Sequence, residues 1–212
     1  MPATTLHLVR HGEVDNPNNV LYGRLPGFGL TARGRATAAA AAELLREYDI
    51  RRLVASPLER AVQSAEPIAA LTGLPVETSD RLLEATSRLE GGPYQMNLSI
   101  FGKPAAWPYL INPLRPSWGE PYRDVAERML AELRHAWASV PEGDVALVSH
   151  QMPIWMAHRI ATGKSLAHLP TKRRCALSSI TQLRFDGDRL VEVGYRVPAP
   201  KLADESKDVG AV

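Results

Sequence analysis

The spacing of apolar and polar positions along this chain changes from segment to segment, and the changes mark out strands, helices and loops. Residues 4–9 are a short apolar run built on Leu6, Leu8 and Val9, which predicts a buried strand opening the fold. Arg33 to Tyr48 carries a run of alanines with Leu44 and Leu45, strong helix formers throughout, and Thr31 stands where it can cap that helix. Arg52 to Ala55 predicts a second strand. Ser56-Pro57-Leu58-Glu59 then reads as a helix start, with Ser56 as N-cap, Pro57 in the first position and Glu59 closing a capping box. Pro67 should kink this helix and Gly73 should end it.

Leu74 to Thr78 suits a brief third strand. From Tyr122 to Val140 the residues Val125, Met129, Leu133 and Trp137 recur on one helical face, a stripe expected to pack on a core. Val145 to Val148 is the most strand-like run of all, and Pro153 lies near the start of a further helix. Ala176 to Arg196 alternates around Asp186-Gly187-Asp188 as an antiparallel pair does. Strands that alternate with helices predict an α/β fold of three layers, with helices on both faces of a mainly parallel sheet and an antiparallel edge strand.

Two stretches have loop composition. Residues 14–30 are rich in Asn, Gly and Pro, and a connection of that length points to function. Residues 91–121 hold Pro93, Pro104, Pro108, Pro113, Pro116 and Pro121 among Tyr94, Phe101, Trp107, Tyr109 and Trp118. This inserted region suits a lid, a specificity wall, a small satellite core or a homodimer contact, and the sequence leaves these open. The expected organisation is one domain over residues 1–198 carrying that insertion, followed by a polar tail, 199–212, expected to be disordered.

Composition narrows the partners. The chain of 212 residues is 45% hydrophobic and 23% charged with a net charge of +2, an ordinary globular balance in which acids and bases are interleaved. That speaks against a nucleic-acid partner. No apolar run approaches the ~20 residues that a membrane span needs, so a cytoplasmic protein that does not engage membranes is expected. Cys175, the lone cysteine, can form no internal disulfide and is expected in packing.

Candidate chemistry lies at the ends of predicted strands, where ligands bind in open α/β sheets. The first strand ends in Arg10-His11-Gly12-Glu13 and the fourth in Ser149-His150. An imidazole beside a fixed cation can be held neutral and nucleophilic, and Gly12 would let a backbone amide approach an anion. Arg60 falls in the first turn of a helix entered directly from a strand, where an anion is already favoured; taken alone, a solvated surface arginine is the commoner reading. Glu84 follows two leucines, and a carboxyl group beside apolar neighbours suits a general acid, although a surface glutamate is commoner. His7 is expected as packing, and His135, His158 and His168 as ordinary surface or helix residues. A metal site built from His7, His11 and His150 has no supporting ligand spacing.

Taken together, Leu8-Val9-Arg10-His11-Gly12-Glu13, the run from Ser56 to Ala65, Glu84 with Glu90-Gly91, and Val148-Ser149-His150 resemble the histidine phosphatase superfamily, which also holds phosphoglycerate mutase. The resemblance implies a phosphoglycerate mutase-like fold and a phosphatase that hydrolyses phosphate monoesters through a phosphohistidine on His11. Arg10, Arg60 and His150 would surround the phosphoryl oxygens, and Glu84 would serve as general acid and base. Substrate contacts would extend to Asn16 and Gln151. No metal and no other cofactor is implied, and the partner would be a small-molecule phosphate ester.

Several positions depart from the family pattern. Pro17, flanked by Asn16 and Asn18, stands where Asn is frequent, Thr37 where Gln is common, Pro121 in place of Ser, and Gln151 in place of Gly. An aspartate usual between Gly23 and Thr31 is missing, and that stretch is one residue longer. These departures bear on substrate more than on chemistry. The alternatives are phosphoglycerate mutase-type transfer and a non-catalytic protein that only binds a phospholigand. Arg24, Lys103 and Arg115 are further candidates for the leaving-group side, each with a surface role as the commoner reading.

Overall fold

In the computed structural model, which describes residues 2–91, 119–169 and 172–200, six strands form one mixed sheet. In chain order the elements are β1 (Thr5–Arg10), α1 (Ala32–Leu45), β2 (Ile50–Ala55), α2 (Glu59–Thr72), β3 (Glu77–Thr78), α3 (Tyr122–Ala138), β4 (Asp144–Ser149), α4 (Gln151–Ala161), β5 (Ile180–Asp186) and β6 (Arg189–Arg196). Across the sheet the order is β3-β2-β4-β1-β5-β6. The first four run parallel, while β5 and β6 pair antiparallel at one edge, as the alternating C-terminal segment predicts.

Alternation along the central strands explains the layering. Leu6, Leu8, Val145 and Leu147 turn to one face and meet Met129, Leu133 and Ala136 of α3 and Ile154, Ala157 and Ala161 of α4. Val9, Leu53, Ala55, Ala146 and Val148 turn to the other and meet Ala41, Ala42 and Leu45 of α1 and Ala61, Ala65 and Ile68 of α2. The alanines let α1 and α2 approach the sheet closely. Leu8 and Leu147 are wholly buried between layers, where removing a leucine side chain costs about 2–5 kcal/mol.

Thr31 caps α1 as expected, its side chain accepting from the N–H of Gly34. Gly73 ends α2 in the left-handed region, with φ of 72°. The helix runs through Pro67 without interruption, and β3 is shorter than the predicted strand. Ser56 does not cap α2. The cap position is Leu58, with no side-chain hydrogen bond, and Ser56 is used elsewhere. His158 lies in α4, as one of the two expected placements has it, and is buried against Glu192 at 2.5 Å. His7 is buried on Asp144, at 3.1 Å.

The bulk of the 91–121 insertion, with Lys103, Arg115 and its aromatics, lies outside the described residues, as does the tail beyond residue 200. Among the described residues no helix is long and apolar enough to cross a membrane.

Candidate active site

Because β2, β4 and β1 are neighbours and run parallel, their carboxyl ends lie side by side. The ladders continue just past them: the His11 N–H donates to the Ser149 carbonyl at 3.0 Å, and the Ser56 N–H to the Val148 carbonyl at 2.9 Å. His11, Ser56 and His150 therefore emerge together. The rings of His11 and His150 lie with centroids 5.1 Å apart, both side chains buried.

Nδ1 of His11 lies 2.8 Å from the Gly12 carbonyl. A carbonyl can only accept, so Nδ1 carries the proton and Nε2 keeps the lone pair. Burial, with the charges of Arg60 and Arg10 added, holds the ring well below the usual histidine pKa, so it is neutral near pH 7. A neutral imidazole with a fixed tautomer and its lone pair on Nε2 is a competent nucleophile.

The cations around it are buried as well. Arg10 is fully buried and donates to the Cys175 carbonyl at 2.5 Å, so Cys175 holds the pocket through its backbone while its own side chain packs. Arg60 is 1% exposed, which overturns the solvated-surface reading. It donates to the Gly23 carbonyl at 2.6 Å and lies 4.8 Å over the Tyr22 ring, while its Nε is buried without a hydrogen-bond partner. Burial draws its guanidinium below the usual value, opposed by Tyr22 and Glu84, and an arginine that starts so high remains a cation.

His150 contacts the Ser56 hydroxyl through Nε2 at 2.7 Å, and its Nδ1 is buried with no hydrogen-bond partner. Burial, followed by Arg60 and His11, again holds the ring far below its usual pKa. Nε of Arg60 and Nδ1 of His150 are buried without hydrogen-bond partners, and an anion could satisfy both.

Glu84, 2% exposed, sits on the amino end of α4, its Oε1 accepting from the N–H groups of Met152 at 3.2 Å and Ala85 at 3.0 Å. These bonds orient the carboxyl group and do not use its second oxygen. Arg24 steadies the same segment, donating to the Glu84 carbonyl at 2.6 Å and pairing with Glu120 at 3.0 Å.

Three expectations need correction or narrowing. The Gly12 amide is not offered to an anion: it donates to the Ser64 hydroxyl at 3.1 Å, and the missing side chain matters because a Cβ there would meet the Gly34 carbonyl oxygen at 2.4 Å. Asn16 spends its amide locally, donating to the Val20 carbonyl and accepting from the Val20 N–H, each at 2.9 Å. Gln151 accepts from Arg173 at 3.0 Å. Among the described residues no group of three or more His, Cys, Asp or Glu could hold a metal ion. Sequence reasoning missed Tyr22, Ser56, Ser64 and Arg173; Ser56 had a signal, its position at the end of β2, that was read as a helix cap.

A parallel sheet whose strand ends enclose a neutral, oriented histidine between buried arginines defines a phosphate-handling α/β protein. The family model of the histidine phosphatase superfamily (branch 1) matches residues 6–197, and the chain belongs to that superfamily. It is 48% identical over 196 residues to an uncharacterized protein of Mycobacterium tuberculosis, a match covering 92% of this chain and 97% of that one. Glucosyl-3-phosphoglycerate phosphatase of the same organism is 34% identical over 161 residues, 71% of each chain. The solved structure of a mycobacterial glucosyl-3-phosphoglycerate phosphatase complexed with VO3 superposes with a TM-score of 0.74 at 29% identity, covering 89% of this chain and 96% of that chain.

Proposed function

We propose that this protein hydrolyses phosphate monoesters through a phosphohistidine formed on Nε2 of His11. The observation that carries the reading is the state of His11, neutral, oriented by the Gly12 carbonyl and enclosed with Arg10, Arg60 and His150. Nε2 attacks phosphorus in line and the bond to the ester oxygen breaks. Glu84 supplies the proton that the departing alkoxide needs, then takes one from the water that attacks the phosphohistidine, releasing phosphate and restoring His11. Arg10, Arg60 and His150 meet the charge on the phosphoryl oxygens, the dominant contribution in phosphoryl transfer. The likeness to a glucosyl-3-phosphoglycerate phosphatase supports a phosphorylated small molecule as substrate.

The test is a labelled phosphate ester mixed with enzyme and quenched in alkali. An alkali-stable, acid-labile phosphoprotein is expected, absent from His11→Ala, whose kcat should fall by at least about a thousandfold. Unchanged turnover in that variant would refute the phosphohistidine reading, and a wild type that binds phosphate esters without turnover would be a binding protein. Release of inorganic phosphate should exceed isomerisation of 3-phosphoglycerate; the reverse would make the protein a mutase. With two arginines and an imidazole supplying the charge, EDTA is expected to leave turnover unchanged.

A further inference from the structure

The segment that carries Glu84 has little regular structure of its own. Apart from one 3-10 turn, Asp80–Leu82, and an isolated bridge at Ser87, residues 79–87 are irregular, and their carbonyls are held from elsewhere in the chain. Ser149 donates through Oγ to the Leu82 carbonyl at 2.7 Å, and Arg128 through Nη1 to the Arg81 carbonyl at 2.7 Å. Arg24 donates through Nε to the Glu84 carbonyl at 2.6 Å, and the Glu120 N–H donates to the Thr86 carbonyl at 3.0 Å.

Glu120 ties these supports together. Its Oε1 accepts from Nε of Arg128 at 2.8 Å, and its Oε2 accepts from Nη2 of Arg128 at 3.1 Å and from Nη2 of Arg24 at 3.0 Å. The contact with Arg128 is a two-point fork between a planar guanidinium and a carboxylate, which fixes direction as well as distance. With only 16% and 18% of their side-chain surfaces exposed, Glu120 and Arg128 escape most of the screening that weakens surface pairs. One carboxylate therefore aims two arginines, the first at the carbonyl of the proposed acid and the second at the carbonyl three residues before it. Glu120 is itself firmly seated. Its neighbour Gly119 pairs with Ser87, so closely that a Cβ on Gly119 would meet the Thr86 carbonyl oxygen at 2.3 Å.

We infer that Glu120 is a positioning residue for the general acid: through Arg24 and Arg128 it holds the backbone of residues 81–84 where the second Glu84 oxygen can reach the leaving oxygen. The inference rests on the phosphatase reading above and adds to it a residue that touches neither the phosphate nor the alcohol. A carboxyl group acts as an acid only within hydrogen-bond reach of the oxygen it protonates, so a shift of about 1 Å in its backbone costs on the order of a hundredfold in rate. The Ser149 bond to Leu82 and the two amides on Glu84 do not depend on Glu120, so its removal loosens the aim of the acid while these anchors stay.

Two esters of similar size separate aim from fold. Benzyl phosphate releases an alkoxide that needs a proton, whereas p-nitrophenyl phosphate releases a stable phenolate that does not. Their kcat/KM values cover only the steps up to release of the alcohol, so the later use of Glu84 towards water does not enter. Glu120→Gln should lower kcat/KM for benzyl phosphate by about ten- to a hundredfold and for p-nitrophenyl phosphate by less than about threefold, and Glu120→Asp should recover part of the loss. In a Glu84→Gln background, Glu120→Gln should change kcat/KM for benzyl phosphate by less than about twofold, because the group it aims is gone. Should Glu120→Gln fail to fold, Arg24→Gln, which leaves the Arg128 fork in place, should show the same selective loss by a smaller factor. An equal fall for both esters, an unchanged rate for benzyl phosphate, or an undiminished effect in the Glu84→Gln background would overturn the inference. Hydrolysis of p-nitrophenyl phosphate that is lost in His11→Ala leaves the phosphatase reading standing whatever Glu120 does, whereas hydrolysis that persists there removes that reading itself.

Discussion

Ser56 and His150, ninety-four residues apart in the chain, meet through Oγ and Nε2 at 2.7 Å at the carboxyl ends of adjacent parallel strands. If the hydroxyl donates to Nε2, the imidazole proton is left on Nδ1, the buried nitrogen that has no hydrogen-bond partner. That proton is then available to a phosphoryl oxygen. Ser56→Ala should lower kcat/KM by about tenfold and stability by about 1–3 kcal/mol, the cost of leaving a buried acceptor unanswered. Steady-state kinetics with a thermal melt will decide, and a fully active variant would show that Ser56 does not orient His150.

His11 and His150 are both held well below the usual histidine pKa, burial being the largest cause for each. Falling pH therefore protonates the nucleophile only well below 6.5, and the acid limb of kcat/KM assigned to His11 should lie there. An acid limb at or above 6.5 would be inconsistent with the enclosed ring.

The same depression has a stability consequence of the same sign as that of a paired acid, in a higher pH window. Below pH 6.5 the unfolded chain binds protons at these two histidines that the folded chain refuses, so stability falls as pH drops towards the folded values. Each site contributes a slope of up to about 1.4 kcal/mol per pH unit in that window. Above pH 6.5 neither contributes. Melting temperatures between pH 7 and pH 5 should fall less steeply in His11→Asn than in wild type, and parallel curves would contradict the assignment.

Gly12 and Gly34 bring the loop after β1 against α1. A Cβ on Gly12 would lie 2.4 Å from the Gly34 carbonyl oxygen, and one on Gly34 would lie 2.1 Å from that of Glu13. Both obstacles are backbone and cannot rotate aside. Gly12→Ala should cost on the order of 1–3 kcal/mol, as overpacking does, and because the loop also carries His11, activity should fall further than the melting temperature implies. Calorimetry and turnover measured on one preparation test this, and unchanged activity at unchanged stability would refute it.

Much of the framework was legible along the chain. The periodicity placed β1, β2, β4, the C-terminal hairpin and the helices α1 to α4, because each buries one face or two and writes that burial into local spacing. The ends of α2 were half legible. Gly73 was read correctly, but Ser56 resembles an N-cap in sequence and becomes a partner of His150 only once β2 and β4 are neighbours. Arg60 was ambiguous for a similar reason. Nothing within its own helix says that Gly23 and Tyr22 will close over it.

The sequence by itself determined which residues stand at the ends of strands, Arg10 closing β1 with His11 just after it and His150 just after β4, since strand ends are local events. Only the tertiary structure decided that these ends adjoin. The strand order places β4 between β2 and β1, and no residue spacing encodes that order. It also decided that Gly12 serves a close approach to Gly34 rather than an amide for an anion, that the Glu84 carboxyl rests on the amino end of α4, and that Arg173 reaches the same place. The physical reason is common to all of them. Burial, hydrogen-bond partners and electrostatic fields are set by groups far apart in the chain, and they come into being only when the layers close.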